Sequence, residues 1–339
     1  MEARRKIIPL FIPHAGCPNR CVFCDQKRIS GSLLPASGDM VRRALDALGE
    51  ERGCELAFYG GSFTAIPICE QEELLGAAQP YRDNGTVTAI RVSTRPDAVD
   101  TERLERLRRY GVETVELGAQ SMTGRVLTRS GRGHTAGDVV RASELVREGG
   151  FSLILQMMTG LPGETRESCL ESAEKIAALR PDGVRIYPTV ILRDTPLYEM
   201  WQRGEYREHT VEDAVELCAD ILPIFERAGI PVIRLGLNPT EELSGGVAVG
   251  GAYHPALGEM VRSRIYRRRA EEALRGVERG SVVTLEVDGR YISQMTGQNR
   301  ANLRYLQEKF ALGGIRVGKS PCPDGENFSV TVAMTGKIG

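Results

Sequence analysis

The sequence predicts an α/β protein: a partial (β/α)6 barrel followed by a small C-terminal α+β domain. Three observations carry this. First, apolar runs rich in Val, Ile and Leu alternate with helix-like stretches six times before residue 230, and strict β–α alternation predicts a parallel sheet. Second, each unit takes roughly thirty to forty residues, the length of a βαβ repeat. Third, the apolar runs are continuous, as expected of strands covered on both faces. Six units are too few for an eight-unit barrel, so the barrel is expected to be open.

The elements follow in order. Residues 7–12 read as a strand and 39–48 as a helix; 55–59 and 70–79 form the second pair, 89–93 and 101–109 the third. The fourth pair is 114–117 and 138–148. The fifth is 152–157 and 165–179, with Gly163 and Thr165 suited to the turn and the helix cap. The sixth is 183–187 and 211–227. Beyond about residue 230 the alternation stops. Residues 243–251 are glycine-rich and read as loop, and 255–273 as a helix carrying Arg262, Arg264, Arg267, Arg268 and Arg269. Residues 282–287 and 289–295 read as a strand or hairpin, 301–310 as a helix, and 314–317 and 328–332 as strands. The expected division is a core over 1–230, an extension over 231–275 and a small α+β domain over 276–339.

A chain of 339 residues, 41% hydrophobic, has enough material for a substantial core. Of its eight cysteines, Cys54, Cys69, Cys169, Cys218 and Cys322 are scattered and read as small buried hydrophobes with reduced thiols. The apolar run near the amino terminus is short and broken by Pro9, unlike a signal peptide. No apolar run approaches ~20 residues, so no membrane span is expected. A cytoplasmic location fits both points. Net charge is −1, but residues 260–339 carry 14 Lys and Arg against 8 Asp and Glu. That asymmetry points toward a polyanion at the basic end.

The loop after the first strand carries the clearest chemical signal. It reads His14-Ala15-Gly16-Cys17-Pro18-Asn19-Arg20-Cys21-Val22-Phe23-Cys24, a Cys-x3-Cys-x2-Cys spacing. Three thiolates this close suit one face of an iron–sulfur cluster and leave one iron without a protein ligand. An open position is what a metal needs for chemistry beyond holding a fold together. The alternative is zinc, which wants four ligands, with His14 as the candidate fourth. In parallel α/β sheets the active site lies at the carboxyl ends of the strands, where this loop falls.

The spacing, with Phe23 at the aromatic position before the third cysteine, resembles the radical SAM superfamily signature. The resemblance implies that Cys17, Cys21 and Cys24 hold a [4Fe–4S] cluster, that S-adenosylmethionine (SAM) chelates the fourth iron, and that the core is the same partial barrel. The other strand ends are then candidates for SAM contacts. Gly60-Gly61-Ser62 ends the second strand, where two glycines permit positive φ and close backbone approach. In the superfamily the matching position meets the methionine amino group; Ser62 stands where Glu often stands. An ordinary tight turn is the plainer reading. Arg95 offers a planar fork of donors to a carboxylate, or a surface ion pair to Asp97. Gln120 and Gln156 suit ribose hydroxyls, or are satisfied polar groups of the barrel.

The runs Thr94-Arg95-Pro96-Asp97, Glu116-Leu117-Gly118-Ala119-Gln120-Ser121, Gly160-Leu161-Pro162-Gly163 and Arg185-Ile186-Tyr187-Pro188-Thr189, then Gly204-Glu205-Tyr206, resemble the Elp3 branch of the superfamily. Oxygen-independent coproporphyrinogen oxidase-like enzymes are more distant. The resemblance spans about residues 7–269. Elp3 is the catalytic subunit of Elongator, which modifies wobble uridine in tRNA using acetyl-CoA and SAM. This chain departs from Elp3 in three ways. The segment after the resemblance is too short for an acetyltransferase domain. The extra cysteine cluster is missing. Ser93 and Gln156 stand where the branch tends to have Glu and His.

Near the carboxyl end, a strand-like run to Met295 meets Gly297-Gln298-Asn299-Arg300 and then an amphipathic helix with Leu303, Leu306 and Phe310. This resembles a KH module, whose GXXG loop clamps nucleic-acid backbone, except that Arg300 replaces the second glycine. The alternative is a small capping domain. Arg267, Arg268 and Arg269 suit phosphates, or form a solvated face balanced by Glu271 and Glu272. Tyr187 and His254 are candidates to face substrate. The expected function is SAM cleavage to a 5′-deoxyadenosyl radical that acts on RNA, with tRNA preferred, fed by an electron donor such as flavodoxin or ferredoxin. The alternatives are a small-molecule or porphyrin-type substrate, or a SAM- and cluster-binding haem chaperone without turnover. The sequence specifies no oligomeric state.

Overall fold

Parallel pairing runs unbroken through β1 (Ile7–Ile12), β2 (Cys54–Gly60), β3 (Val87–Thr94), β4 (Val112–Gln120), β5 (Ser152–Thr159) and β6 (Gly183–Pro188), each beside its sequence neighbour. The computed structural model describes residues 5–12, 21–24, 36–237, 246–319 and 330–337. Strand order equal to chain order is barrel-like winding, and the described strands leave the sheet open, as the sequence implies. The sheet also has a seventh parallel strand, β8 (Val232–Leu235), beside β6. Only four residues long and partly exposed, it lacks the continuous apolar run that marks a strand covered on both faces.

The helices between the strands are α1 (Gly38–Asp46), α2 (Ile68–Asp83), α3 (Thr101–Arg109), α4 (Gly124–Arg129), α5 (Ala136–Glu148), α6 (Arg166–Ala178), α7 (Pro196–Gln202) and α8 (Val211–Arg227). Thr135, Thr165 and Thr210 close capping boxes on α5, α6 and α8, each contributing about 1 kcal/mol. One sheet face meets the helices through Leu56, Phe58, Ile90, Val92, Leu117, Leu155 and Ile186, all fully buried. The opposite, inner face carries Glu55, Tyr59, Arg91, Glu116, Gln156, Arg185 and Tyr187, set by the two-residue period of the strands. The unpredicted helices α4 and α7 are short and sit in loops.

The glycine-rich segment is not all loop. Within it β9 (Ala248–Gly251) pairs antiparallel with β7 (Val190–Leu192). Next comes α9 (Leu257–Ala273), then a three-stranded sheet in which β10 (Ser281–Val287) lies between β11 (Gly314–Lys319) and β12 (Thr331–Lys337), parallel to the first and antiparallel to the second. Residues 289–295 are helical, not a hairpin strand: a 3-10 turn over Gly289–Tyr291 leads into α10 (Ile292–Thr296). The Asp288 side chain accepts from the Arg290 backbone N–H and starts that turn. After Gly297 the chain enters α11 (Ala301–Lys309). Tyr266 of α9 meets Tyr291 at 5.5 Å between ring centroids, and Asn302 Nδ2 donates to Ser263 Oγ at 2.9 Å.

Of the scattered cysteines, Cys54, Cys169 and Cys218 are buried thiols and Cys69 is exposed. Its place in the first turn of α2 keeps it from the core. Cys322 lies outside the described residues.

Candidate active site

The cysteine loop leaves β1 after Ile12. Cys17 lies outside the described residues; Cys21 and Cys24 lie within them. Cys21 is buried, Cys24 is partly exposed, and Cys24 N–H donates to Cys21 O at 3.0 Å in a tight turn. Two backbone bonds fix this turn from outside. Val22 N–H donates to Ser130 O at 3.1 Å, and Leu197 N–H donates to Val22 O at 2.8 Å. Phe23 and Val22 pack on a small apolar cluster of Ile191, Leu197 and Tyr206. Phe23 thus anchors the loop on α7 through its ring.

The segment 130–134 ties this turn to the end of β4. Besides Ser130, it supplies Arg132, whose Nη1 donates to Cys21 Sγ at 3.4 Å and whose Nη2 donates to Gly118 O at 2.8 Å. His134 Nε2 bonds Ala119 O at 3.1 Å. Burial, reinforced by the Arg132 charge, lowers His134 to about 4, so its ring is neutral near pH 7 and Nε2–H is the donor. Neither residue was singled out by sequence, because both take their meaning from strand-end carbonyls that only the fold brings near.

Gln120 is the last residue of β4 and holds a left-handed backbone, φ 63°. Such a conformation is uncommon for a non-glycine residue and concentrates at functional sites. Its Oε1 is buried without a hydrogen-bond partner. A buried acceptor left unpaired costs about 1–3 kcal/mol; a ligand hydroxyl would satisfy it. Gln156 stands differently. It lies three residues inside β5, and its Nε2 donates to Glu116 Oε2 at 2.9 Å.

The ends of β1, β2 and β3 meet. Gly60 has φ 96°, and a Cβ there would lie 2.9 Å from Ile12 O; only glycine lets β2 end against β1 where the cysteine loop departs. Gly61 N–H donates to Ile12 O at 2.9 Å. Ser62 is buried and committed to β3: its Oγ accepts from Arg95 N–H at 3.0 Å and bonds Thr94 Oγ1 at 3.0 Å. The Arg95 guanidinium grips Asp97, with Nε to Oδ1 at 2.9 Å. Burial pushes the Asp97 carboxyl up, but the Arg95 charge outweighs it and its pKa ends below the usual value. Arg95 therefore carries the ion pair that the sequence offered as its alternative role.

Below the strand ends lies a charged layer on the inner face. The fully buried Glu116 carboxylate bridges Arg91 at 2.6 Å and Arg185 at 2.9 Å, and Arg91 also meets Glu55 at 2.8 Å. Arg185 Nη2 donates to Tyr59 Oη at 3.0 Å, with its guanidinium 5.5 Å from that ring's centroid. Burial, helped by the Glu116 charge, pushes Tyr59 up to about 12. Tyr187 shares this layer, and burial raises its pKa too.

His254 sits near the end of β6, since Ala252 N–H donates to Thr189 O at 3.1 Å; its Nδ1 accepts from Ala256 N–H at 3.1 Å in a local turn. The arginines of α9 are paired within the fold, as in the balanced face that the sequence offered as their alternative role. Arg268 donates to Asp220 at 2.7 Å and pairs with Glu216; Arg264 meets Glu212 at 2.8 Å, and Arg262 meets Glu226 at 3.5 Å. Their partners are acids on the facing helix α8, which a reading of α9 alone does not show. Arg267 stacks over Tyr305 at 4.6 Å, and Arg269 pairs with Glu272 at 3.4 Å.

The fold is an open parallel half-barrel, with two thiols of a Cys-x3-Cys-x2-Cys loop tied to the end of β4 through Arg132 and an unpaired Gln120 acceptor closing that strand. The family model described as the radical SAM superfamily matches residues 11–176, and the Radical_SAM C-terminal domain matches residues 181–267. The chain belongs to the radical SAM superfamily, an enzyme family, and its cofactors are the family's, a [4Fe–4S] cluster and SAM.

Within it the chain is similar to Elp3 proteins. It is 31% identical over 179 residues to the tRNA uridine(34) acetyltransferase of Methanocaldococcus jannaschii, covering 51% of this chain and 32% of that protein. It is 36% identical over 190 residues to human Elongator complex protein 3, covering 50% and 35%. The chain thus spans about a third of the length of these relatives. The solved archaeal Methanocaldococcus infernus Elp3 with an N-terminal deletion has the same fold: TM-score 0.61 at 23% identity, over 81% of this chain and 66% of that one. No helix among the described residues is long and apolar enough to cross a membrane.

Proposed function

We propose that this chain reductively cleaves SAM at its cluster and uses the 5′-deoxyadenosyl radical to modify RNA, with tRNA the preferred substrate. Cys17, Cys21 and Cys24 hold the cluster; Gly60, Gly61 and Gln120 place SAM. The observation that carries the site is the Gln120 side chain, a buried acceptor without a partner that shares the 130–134 segment with the cysteine turn. When bound, the cluster supplies the single electron that splits the S–C5′ bond. The protein's own part is orientation. Ser62 joins the ends of β2 and β3, Arg132 and His134 hold the end of β4, and the Glu116 layer closes the barrel beneath with paired charges. Gln156 and Tyr187 belong to that layer and form the floor of the site.

Two observations support RNA. The similar proteins include tRNA uridine(34) acetyltransferases. The C-terminal unit presents helix–glycine turn–helix between two parallel strands, with Gly297, Asn299 and Arg300 all at positive φ. That is the kind of loop that clamps a nucleic-acid backbone. Residues 276–339 then serve as the RNA-reading domain, with exposed Arg300 and Arg304 rather than Arg267–Arg269 as phosphate contacts. His254, near the end of β6, is a candidate substrate contact. A flavodoxin- or ferredoxin-type protein in the same cytoplasm supplies the electron. Comparative nucleoside mass spectrometry of RNA from cells with and without this protein tests the reading. A modification missing without it supports RNA; an unchanged profile refutes it.

A further inference from the structure

Arg132 makes more contacts at the site than a structural tether needs. Its Nη2 bond to Gly118 O already fixes the end of β4. Its Nη1 reaches past that strand to Cys21 Sγ at 3.4 Å, while Nε is buried without a hydrogen-bond partner. The residue is held in place from its backbone as well, since Arg132 N–H donates to Leu127 O at 2.9 Å. The guanidinium is therefore preorganised beside the sulfur of Cys21, a residue only 5% exposed. An arginine stays charged throughout the physiological range, and in a poorly solvated site its field on a sulfur is weakly screened.

We propose that Arg132 is a positioning residue that acts through Cys21 to raise the reduction potential of the cluster. Hydrogen bonds to ligating sulfurs and nearby net charge are the protein's main controls over the potential of an iron–sulfur centre. Reduction by one electron from a low-potential donor makes the centre more negative. A fixed cation donating an N–H to one of its thiolates favours that state. The same side chain couples this effect to Gln120, because it also holds Gly118, two residues earlier on the same strand end.

The inference rests on the cluster being held by Cys17, Cys21 and Cys24, and the test separates the two. The full chain is reconstituted anaerobically without SAM, its iron and sulfide are counted, and its midpoint potential is read by EPR-monitored titration. Wild type, Arg132→Lys, Arg132→Gln and Arg132→Met are compared. The expected order is wild type highest, Lys next, and Gln and Met shifted clearly negative at equal iron content. Should Arg132→Met lose the cluster, the potentials of wild type, Arg132→Lys and Arg132→Gln decide the matter. Equal potentials in all loaded variants overturn the proposal. A wild-type chain that takes up no cluster overturns the site itself.

Discussion

A Cβ on Gly118 would stand 3.0 Å from the Gln120 amide nitrogen and 3.4 Å from Arg132 Nη2. The bare backbone of Gly118 is therefore what lets Gln120 fold back over the strand end in its left-handed conformation. Gly118→Ala should displace the Gln120 amide while leaving the cysteine turn intact. The expected result is normal iron content with SAM affinity weakened roughly tenfold, about 1.4 kcal/mol. Calorimetric titration of the reconstituted protein with SAM measures it. Unchanged affinity would show that Gln120 does not touch the cofactor.

Glu116 balances two buried guanidiniums, Arg91 and Arg185. Glu116→Gln keeps the shape and removes the charge, leaving Arg185 without its carboxylate and Arg91 with Glu55 alone in a poorly solvated layer. Breaking a buried pair in this way costs about 3–5 kcal/mol. Urea unfolding of the apo chain should show a loss of that order. A loss below about 1 kcal/mol would mean that water screens the layer as it does a surface pair.

Glu164 follows β5 and accepts Gly160 N–H on Oε2 at 2.6 Å. Burial raises its pKa to about 7, despite that hydrogen bond. A carboxyl whose folded pKa is raised stabilises the fold fully below its unfolded value, near 4.5, and loses that contribution as pH rises through about 7. Burial lowers His134 and His209 to about 4, so their contribution is present above about 6.5 and fades as pH falls through about 4. Glu164→Gln removes the first effect only. The stability of the variant relative to wild type should climb between pH 4.5 and 7. Urea midpoints at several pH values check this, and parallel curves would contradict it.

The ion pairs between α9 and α8 make a contrast with the C-terminal loop. Arg268→Gln should lower stability, since it leaves Asp220 with Arg166 alone and takes one of the cations from Glu216, and leave the salt dependence of RNA binding as it was. Arg300→Gln should leave stability unchanged and lower the slope of log affinity against log salt by about 1. Filter binding of bulk tRNA over a salt series distinguishes them. The reverse pattern would return the phosphate contacts to α9.

The core strands were legible because Val, Ile, Leu and Phe fill the face that the helices cover; the other face, expected to be covered too, carries charged residues such as Arg91 and Glu116. Their carboxyl ends were legible because Gly60 and Gln120 close two of these strands and the cysteine loop follows the first of them. The edge strand Val232–Leu235 was not, being short and half exposed. Gly289–Met295 misled because its residues alternate like a strand, while Asp288 starts a helical turn. Arg95 and Gln156 were identified by type, but their partners Asp97 and Glu116 decide their roles. Arg132 and His134 carried no local signal at all. Each acts on a strand-end carbonyl, 14 residues earlier for Arg132 and 15 for His134, that only the turn back through α4 brings near.

The account stands on SAM being cleaved at these strand ends. Anaerobically reconstituted, reduced protein should convert SAM to 5′-deoxyadenosine and methionine, and Cys17→Ala, Cys21→Ala and Cys24→Ala should each abolish this. Chromatographic quantitation of 5′-deoxyadenosine is the direct measurement. Product in wild type alone is the result expected; no product from cluster-loaded wild type, or equal product from all four proteins, would contradict it.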